Sequence, residues 1–264
     1  HVGIIWDCQG PSNSITCNEA SSLLAIGEGF RHVARGTGDT MLVGGGESKL
    51  NPSWILRHCL LGTASTGYND RPAEAHRPFD ADRDGLVPAE GAGAMLLEPA
   101  DLATERGTQA KARLLGFGSA CATTLPNEVE TSGASIARAM RFALRDGGIG
   151  PEEVDLVVAH GMAVPDQDVA EARAVADVLG EVPVTCFTGG MGNIGSAGGA
   201  VDVALACRIL AEGRIPPIRN CDRLDPRCPI RAVTGEAVDR SVETMMVISS
   251  GIASQSAALV LRKV

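Results

Sequence analysis

Aromatic residues are scarce in this sequence. Phenylalanine, tryptophan and tyrosine together make up 3% of the 264 residues, whereas glycine occurs 32 times. A core with few large rings must be filled by small aliphatic side chains, and glycines allow helices and strands to approach one another closely. Because 44% of the residues are apolar, the chain can bury a large core, and disorder is not expected. The composition therefore predicts a closely packed α/β protein.

Other absences exclude whole classes of site and partner. The eight cysteines form no C-x-x-C pair and the five histidines no H-x-x-x-H pair, which favours reduced thiols over a disulfide framework or a zinc site. The formal net charge of −9 argues against nucleic acid or an anionic membrane as a partner. No apolar run reaches the roughly 20 residues of a membrane span, and nothing at the start resembles a signal peptide, so a cytoplasmic location is expected.

The stretch from Gly10 to Gly27 combines a glycine-proline turn, a β-like run and the opening of a helix. Hydroxyl and β-branched residues favour a strand over Ser12–Thr16. Residues 2–10 are expected to form a strand that leads into this segment. Asn18 can cap the helix that follows. Its apolar residues at helical spacing are Leu23, Leu24, Ile26 and Phe30. A side chain at such a corner lies beside unpaired amides and the helix dipole, which favour a nucleophile or an anion.

This stretch resembles the nucleophile elbow of the β-ketoacyl synthases, the condensing enzymes of fatty-acid and polyketide synthesis. Their elbow runs from G-P through S-x-x-x-A-C-A-x-S to I-G, and an ungapped alignment puts Glu19 at the position of the nucleophilic cysteine. A carboxylate could form only a labile mixed anhydride, not a thioester. Cys17 is the rival nucleophile, but only a deletion with a compensating insertion brings it into line. We interpret Cys17 as a buried strand residue.

Two segments of the first half extend the resemblance. Gly44–Ser48 matches a family strand that ends in G-G-x-E-S, and a parallel sheet is expected there. Residues 76–98 match R-P-F-D-x-x-R-D-G-F-x-x-G-E-G-A-G at nearly every position. Its acidic loop alone could suggest a calcium site, but Arg83 occupies a ligand position and no glutamate closes the loop. The resemblance implies that Glu90 is a buried structural glutamate that helps to hold the active-site backbone.

In the second half, a helix is predicted over Ser135–Arg145 and a strand over Val154–Ala159. His160 follows at the carboxyl end of that strand, where ligands gather in α/β sheets. The family has A-H-G-T-x-T-x-x-x-D-x-x-E here, and the resemblance implies that Met162 and Val164 replace two threonines that bind the phosphopantetheine arm of the substrate carrier. Without these companions, we interpret His160 as structural rather than as a surviving catalytic base. The residues that match the family are His160, Asp168 and Glu171.

The glycine-rich turn after the next strand contains G-x-G-x-x-G from Gly190 to Gly195, as in dinucleotide-binding loops. No acidic ribose-binding residue ends a following strand, which weakens that interpretation. The family pattern K-S-x-x-G-H-x-x-A-A-A-G also fits, with its lysine at Thr188 and its second histidine at Asn193. An asparagine cannot exchange a proton, so acid–base catalysis at this position would be lost.

The last hairpin departs from the family as well. Ile252 stands at the gating phenylalanine, and Ala253 and Ser254 stand where the family has a glycine pair. In the family the oxyanion hole is built from the elbow amide and the gate amide, here that of Ile252. We expect Glu19 to be ionised and to accept hydrogen bonds from both amides, as a structural plug.

The resemblance covers essentially the whole chain and implies a thiolase-like α/β fold of five layers, helix, sheet, helix, sheet, helix. Residues 136–264 would form one complete half and residues 1–135 the remainder of the other, which includes the elbow, its helix and core strands. The first strands of that half are expected on another polypeptide or on a cleaved segment. A ketosynthase-type dimer is also expected, in which Pro11–Thr16 pairs across the two-fold axis.

Two classes of function remain open. Simultaneous loss at several catalytic positions favours a non-condensing partner, similar to the chain-length factors that pair with an active ketosynthase and shape its acyl tunnel. The alternative is an enzyme, either a condensing enzyme with an unusual nucleophile or a malonyl-carrier-protein decarboxylase, which should keep both histidines. The resemblance implies no bound cofactor, because substrates would arrive on the phosphopantetheine of an acyl carrier protein. It implies a ketosynthase subunit or a homodimer mate as the second partner.

Overall fold

The computed structural model describes residues 2–123, 130–252 and 254–264. The helices in these ranges are α1 Val2–Ile5, α2 Ser21–Ala34, α3 Pro52–Leu60, α4 Ala100–Glu105, α5 Ala134–Gly147, α6 Pro165–Leu179, α7 Thr188–Met191 and α8 Gly198–Glu212. The strands are β1 Met41–Ser48, β2 Glu90–Leu97, β3 Arg113–Cys121, β4 Leu156–Val158, β5 Pro183–Thr185, β6 Arg214–Ile215, β7 Arg231–Ala232, β8 Val238–Asp239, β9 Thr244–Ser250 and β10 Gln255–Arg262. Short 3-10 turns cover Pro72–Glu74, Pro151–Glu153 and Gly195–Ala197.

A six-stranded sheet in the order β3-β10-β9-β4-β5-β7 forms the centre of the molecule. Strand β10 runs antiparallel to both of its neighbours, β3 and β9, whereas β9, β4, β5 and β7 are parallel. Every residue of β4 is fully buried, as expected for a strand of a sheet that is covered on both faces. The predicted strand before His160 is therefore confirmed, and His160 lies just beyond its carboxyl end.

The elements stack in alternating layers. Helices α5 and α6 cover one face of the six-stranded sheet, with Met140 and Val175 in the shared core. Helices α2 and α8 cover the other face, with Leu23 and Leu210 in a second core, and they separate this sheet from the pair β1–β2. The order helix, sheet, helix, sheet gives four of the five layers that the thiolase-like interpretation implies.

The segments around the elbow differ from their predictions. Residues 2–5 form a helix rather than a strand, and residues 11–16 lie outside any strand and are mostly exposed, because no neighbouring segment in the described part of the chain pairs with them. Asn18 does not cap α2. It has a φ of 49°, and Ser21 closes the turn instead, since its Oγ accepts from the Cys17 amide at 2.8 Å and donates to the Asn18 carbonyl at 2.6 Å.

The pairing of β1 also differs from its prediction. This strand runs antiparallel to β2, from Met41 opposite Leu97 to Ser48 opposite Glu90, rather than in a parallel sheet. The helix-then-strand order could not reveal this, because it does not say which strand lies alongside.

The domain boundary at residue 135 stays a prediction, although β3, which precedes it, pairs with β10 in the later sheet. Ala253 lies outside the described residues, and no described helix has the length and apolar character needed to cross a membrane.

Glycine allows α5 to pack directly on β3, and this contact can be tested. A methyl group at Gly118 would lie 2.1 Å from the carbonyl oxygen of Ala139, which is backbone and cannot move aside. We expect Gly118→Ala to lower the free energy of unfolding by about 1–3 kcal/mol, measured by urea titration. Gly46→Ala is the matched control, because its methyl group would lie 3.4 Å from the β-carbon of Ala92. Equal stability of the two variants would contradict the close contact.

Candidate functional site

Glu19 lies at the elbow, two residues before α2, and is 2% exposed. Its carbonyl oxygen accepts a hydrogen bond from Ser249 Oγ at 2.9 Å. A β-carbon on Gly251 would lie 3.0 Å from Glu19 Oε2, so the turn of the β9–β10 hairpin packs against this side chain. Cys17, the rival nucleophile, is partly buried rather than fully buried. The structure therefore puts Glu19, not Cys17, at the centre of the site.

The partner of Glu19 is Lys49, at the end of β1. Its Nζ lies 3.6 Å from Glu19 Oε1 and 3.5 Å from Glu47 Oε1, and the residue is only 4% exposed. The same ammonium group lies 4.7 Å from the centre of the Trp54 ring, within cation–π distance. Sequence reasoning missed both Lys49 and Trp54. A lysine directly after an apolar, glycine-rich strand is a weak signal of burial, and only a buried counter-charge makes it informative.

The expected hydrogen bonds from backbone amides to the Glu19 carboxylate are not seen among the described residues. Oε2 has no hydrogen-bond partner among the described residues, and no described contact joins the carboxylate to the amide of Ile252. The physical reason is that Lys49 supplies the compensating charge from the side of β1. Glu19 is buried beside a cation instead of two amides, and its role as a group that fills the site stays a prediction.

His160 is buried, with an exposed fraction of 3%, and its ring nitrogens have no hydrogen-bond partner in the described part of the chain. Its backbone amide and that of Gly161 donate to the two carboxylate oxygens of Glu171 at 2.7 and 2.9 Å. Burial, and secondly the charge of Lys49, lower the pKa of His160 to about 4. The imidazole is therefore neutral at pH 7. Burial also raises the pKa of Glu171, to about 8.

Thr188 and Asn193, at the positions of the family's lysine and second histidine, form hydrogen bonds to the backbone in this structure. Thr188 Oγ1 donates to the Gly161 carbonyl at 2.7 Å. Asn193 Oδ1 accepts from the Gly195 amide at 2.8 Å, while its Nδ2 is buried without a partner among the described residues. Neither side chain can take up or release a proton in this range of pH. Thr188 thus joins the glycine-rich turn to the loop after β4, whereas Asn193 stabilises the turn itself.

An apolar cluster occupies the positions where the family binds the phosphopantetheine arm. Met162, Val164 and Leu86 are buried together, and Trp54 and Ile252 pack against them. The two positions predicted to bind the arm and the gate position therefore contact one another through carbon atoms. A polar arm would find no hydroxyl group there and would have to displace packed side chains.

The specific match over residues 76–98 has a structural explanation. Arg83 is buried and forms ion pairs with Asp168 at 3.3 Å and Asp225 at 2.9 Å, which joins this loop to α6 and to the loop after β6.

Glu90, expected to be buried, is exposed and accepts a hydrogen bond from Ser48 Oγ at 2.8 Å. It begins β2, and no described element covers that side of it. Among the residues described here, no group of three candidate ligands could hold a metal ion.

Comparison with known proteins identifies a family. The model "Beta-ketoacyl synthase, N-terminal domain" matches residues 1–103, and "Beta-ketoacyl synthase, C-terminal domain" matches residues 111–222. The chain is 31% identical to the 3-oxoacyl-[acyl-carrier-protein] synthase 2 of Synechocystis, over 97% of this chain and 62% of that protein. It is 36% identical to a putative polyketide β-ketoacyl synthase 2 of Streptomyces coelicolor, over 99% and 61%. The chain thus spans about three fifths of these relatives.

Two solved structures have the same fold. One, a type II polyketide ketosynthase bound to a hexaketide and in complex with its acyl carrier protein, gives a TM-score of 0.96 at 28% identity, over 100% of this chain and 65% of that one. The other, the ishigamide ketosynthase/chain length factor, gives a TM-score of 0.88 at 28% identity, over 96% and 61%. The thiolase-like fold predicted from the sequence is confirmed.

The buried His160 ring predicts a pH dependence. A folded-state pKa of about 4 against an ordinary value of 6.5 means that protonation favours the unfolded chain, so stability falls as the pH drops from about 7 towards 4. For one such group, the loss between pH 7 and pH 5 is about 2 kcal/mol. We expect His160→Gln to reduce the acid loss by this amount, measured by urea unfolding at both pH values. His32→Gln, at a partly exposed ring, is the control. An unchanged acid loss in His160→Gln would contradict the assignment.

Proposed function

Because this chain belongs to the β-ketoacyl synthase family of fatty-acid and polyketide synthesis, we propose that it is a non-condensing subunit, similar to a chain-length factor, that pairs with an active ketosynthase. The observation that carries this proposal is the buried pair of Glu19 and Lys49 at the position of the family's nucleophile. Condensation begins with transfer of an acyl group to a thiolate. A carboxylate that is ion-paired and enclosed offers no such acceptor.

The surrounding groups support the same function. Condensation and decarboxylation need proton handling or charge stabilisation at the two histidine positions. Asn193 offers only an amide, of which the oxygen already accepts a hydrogen bond from the Gly195 amide, so the second of these positions cannot exchange a proton. The apolar contact of Met162 and Val164 with Ile252 also disfavours entry of a phosphopantetheine arm. On this proposal, acyl chains travel on carrier protein to the active partner, and this chain binds no cofactor of its own.

An exposed apolar face supports the pairing. Leu42 and Leu96 are directly opposite each other on β1 and β2, and they are 63% and 49% exposed. Contiguous apolar surface of this kind is typical of protein–protein interfaces. A family subunit, either an active ketosynthase in a heterodimer or a second copy of this chain, is the partner that we propose for it. The ketosynthase/chain length factor among the similar structures is a precedent in the same family.

Restoring the nucleophile tests the non-condensing proposal. We expect Glu19→Cys to remain inactive, because Asn193 cannot handle a proton and Ile252 is packed in the apolar cluster. The measurement is carbon–carbon bond formation from acyl- and malonyl-carrier protein, followed by mass spectrometry. Glu19→Gln is the matched control, and an ordinary ketosynthase is assayed in parallel. Turnover by Glu19→Cys near that of the ordinary enzyme would overturn the proposal.

The assembly state tests the pairing. We expect the purified protein to sediment as a species larger than its 27.3 kDa chain, because the Leu42–Leu96 face is costly to leave in water. Leu42→Lys should shift the sedimentation coefficient towards that of the single chain, whereas Leu60→Lys, at a residue that is 78% exposed on α3, should not. A stable single chain at micromolar concentration would contradict the prediction.

A further inference from the structure

Lys49 is not among the residues that the resemblance to the family singles out, yet its ammonium group lies 3.6 Å from the Glu19 carboxylate. We propose that Lys49 is a positioning residue that holds the Glu19 carboxylate in the nucleophile position and so closes that position to an acyl group. This inference rests on the proposed function and adds to it the residue responsible for the closure.

Burial makes the pair different from a surface salt bridge. Glu19 is 2% and Lys49 4% exposed, so hydration stabilises neither charge. Removing one partner of a buried pair leaves an uncompensated charge, which is far more destabilising than the loss of an exposed pair. The face of the Trp54 ring covers the ammonium group, which lies 4.7 Å from the ring centre.

Among the residues that the structure describes, no other cation near Glu19 can replace Lys49. The titratable and charged groups that face it are Glu19, Glu47, His58 and His160. Burial lowers the pKa of both histidines to about 4, so each is neutral at pH 7. Arg57 affects His58 through its charge but forms no ion pair with Glu19 or Glu47 among the described residues. Lys49 is therefore the cation that faces Glu19.

The backbone around the pair is shaped to admit it. Gly195 has a φ of 61°, and a β-carbon there would lie 2.1 Å from Lys49 Cε and 2.2 Å from Glu47 Oε2. Glu47 Oε2 in turn accepts a hydrogen bond from the Ser196 amide at 2.6 Å. The ion network thus joins the elbow, the end of β1 and the glycine-rich turn before α8. Three separate segments accommodate it, which distinguishes a positioned pair from an incidental contact.

A double-mutant cycle with a pH comparison tests the proposal. The variants are Lys49→Met, Glu19→Gln and the combination of both, with urea unfolding at pH 5 and pH 8. A carboxylate buried without a cation is tolerated only when protonated, so Lys49→Met should raise the unfolding equilibrium constant about tenfold more at pH 8 than at pH 5. In the double variant this additional pH dependence should vanish, and its stability at pH 8 should exceed that of Lys49→Met. Any contribution from His160 is common to both variants and cancels in the comparison.

Controls keep each outcome decisive. Lys49→Arg keeps the charge and should restore most of the lost stability, and Lys111→Met, at an exposed lysine, should have no effect at either pH. If Lys49→Met does not fold but the double variant does, the pair is supported directly. Equal pH dependence in Lys49→Met and the double variant, or a double variant that fails to fold while Lys111→Met folds, would overturn the proposal. Because no step requires catalysis, the outcome is independent of the Glu19→Cys assay.

Discussion

A carboxylate buried at the elbow requires a cation beside it, and the structure is arranged around that requirement. Glu19 lies before α2, Lys49 directly follows β1, and Glu47 connects the pair to the Ser196 amide before α8. The β9–β10 turn closes over Glu19 through Gly251. An ion pair in low dielectric is favourable only when its geometry is fixed. The four segments must therefore keep their relative positions, and the pair contributes to the rigidity of the whole site.

Small residues make this arrangement possible. The layers approach closely because glycine replaces bulk at the contacts, as at Gly118, where α5 packs against the strand backbone. Gly195 gives room to the Lys49 and Glu47 side chains in the same way. The composition, with few aromatic residues and many glycines, thus allows the sheets and helices to stack closely.

The fold was predictable from the sequence where a pattern is local and long. The buried run of β4, the last hairpin and the match over residues 76–98 all predicted elements that the structure contains. The predictions failed where a distant segment decides the outcome. Asn18 was expected to cap α2, but Ser21 closes that turn, and Glu90 was expected to be buried, but nothing described covers it. Lys49 was missed because thirty positions separate it from Glu19, and no periodicity links two such residues.

The substitutions at the site fit together, which argues against random decay. A catalytic site that had merely lost its nucleophile would leave unpaired polar groups and cavities, each destabilising. Here Thr188 donates to the Gly161 carbonyl, Asn193 Oδ1 accepts from the Gly195 amide, and the carboxylate of Glu19 has a buried counter-ion. Apolar residues at the arm-binding positions pack against the gate. Most of these positions thus have contacts of their own, although Glu19 Oε2, the His160 ring nitrogens and Asn193 Nδ2 have no hydrogen-bond partner among the described residues. Packing of this kind is what the proposed non-condensing function requires, because it keeps the site closed.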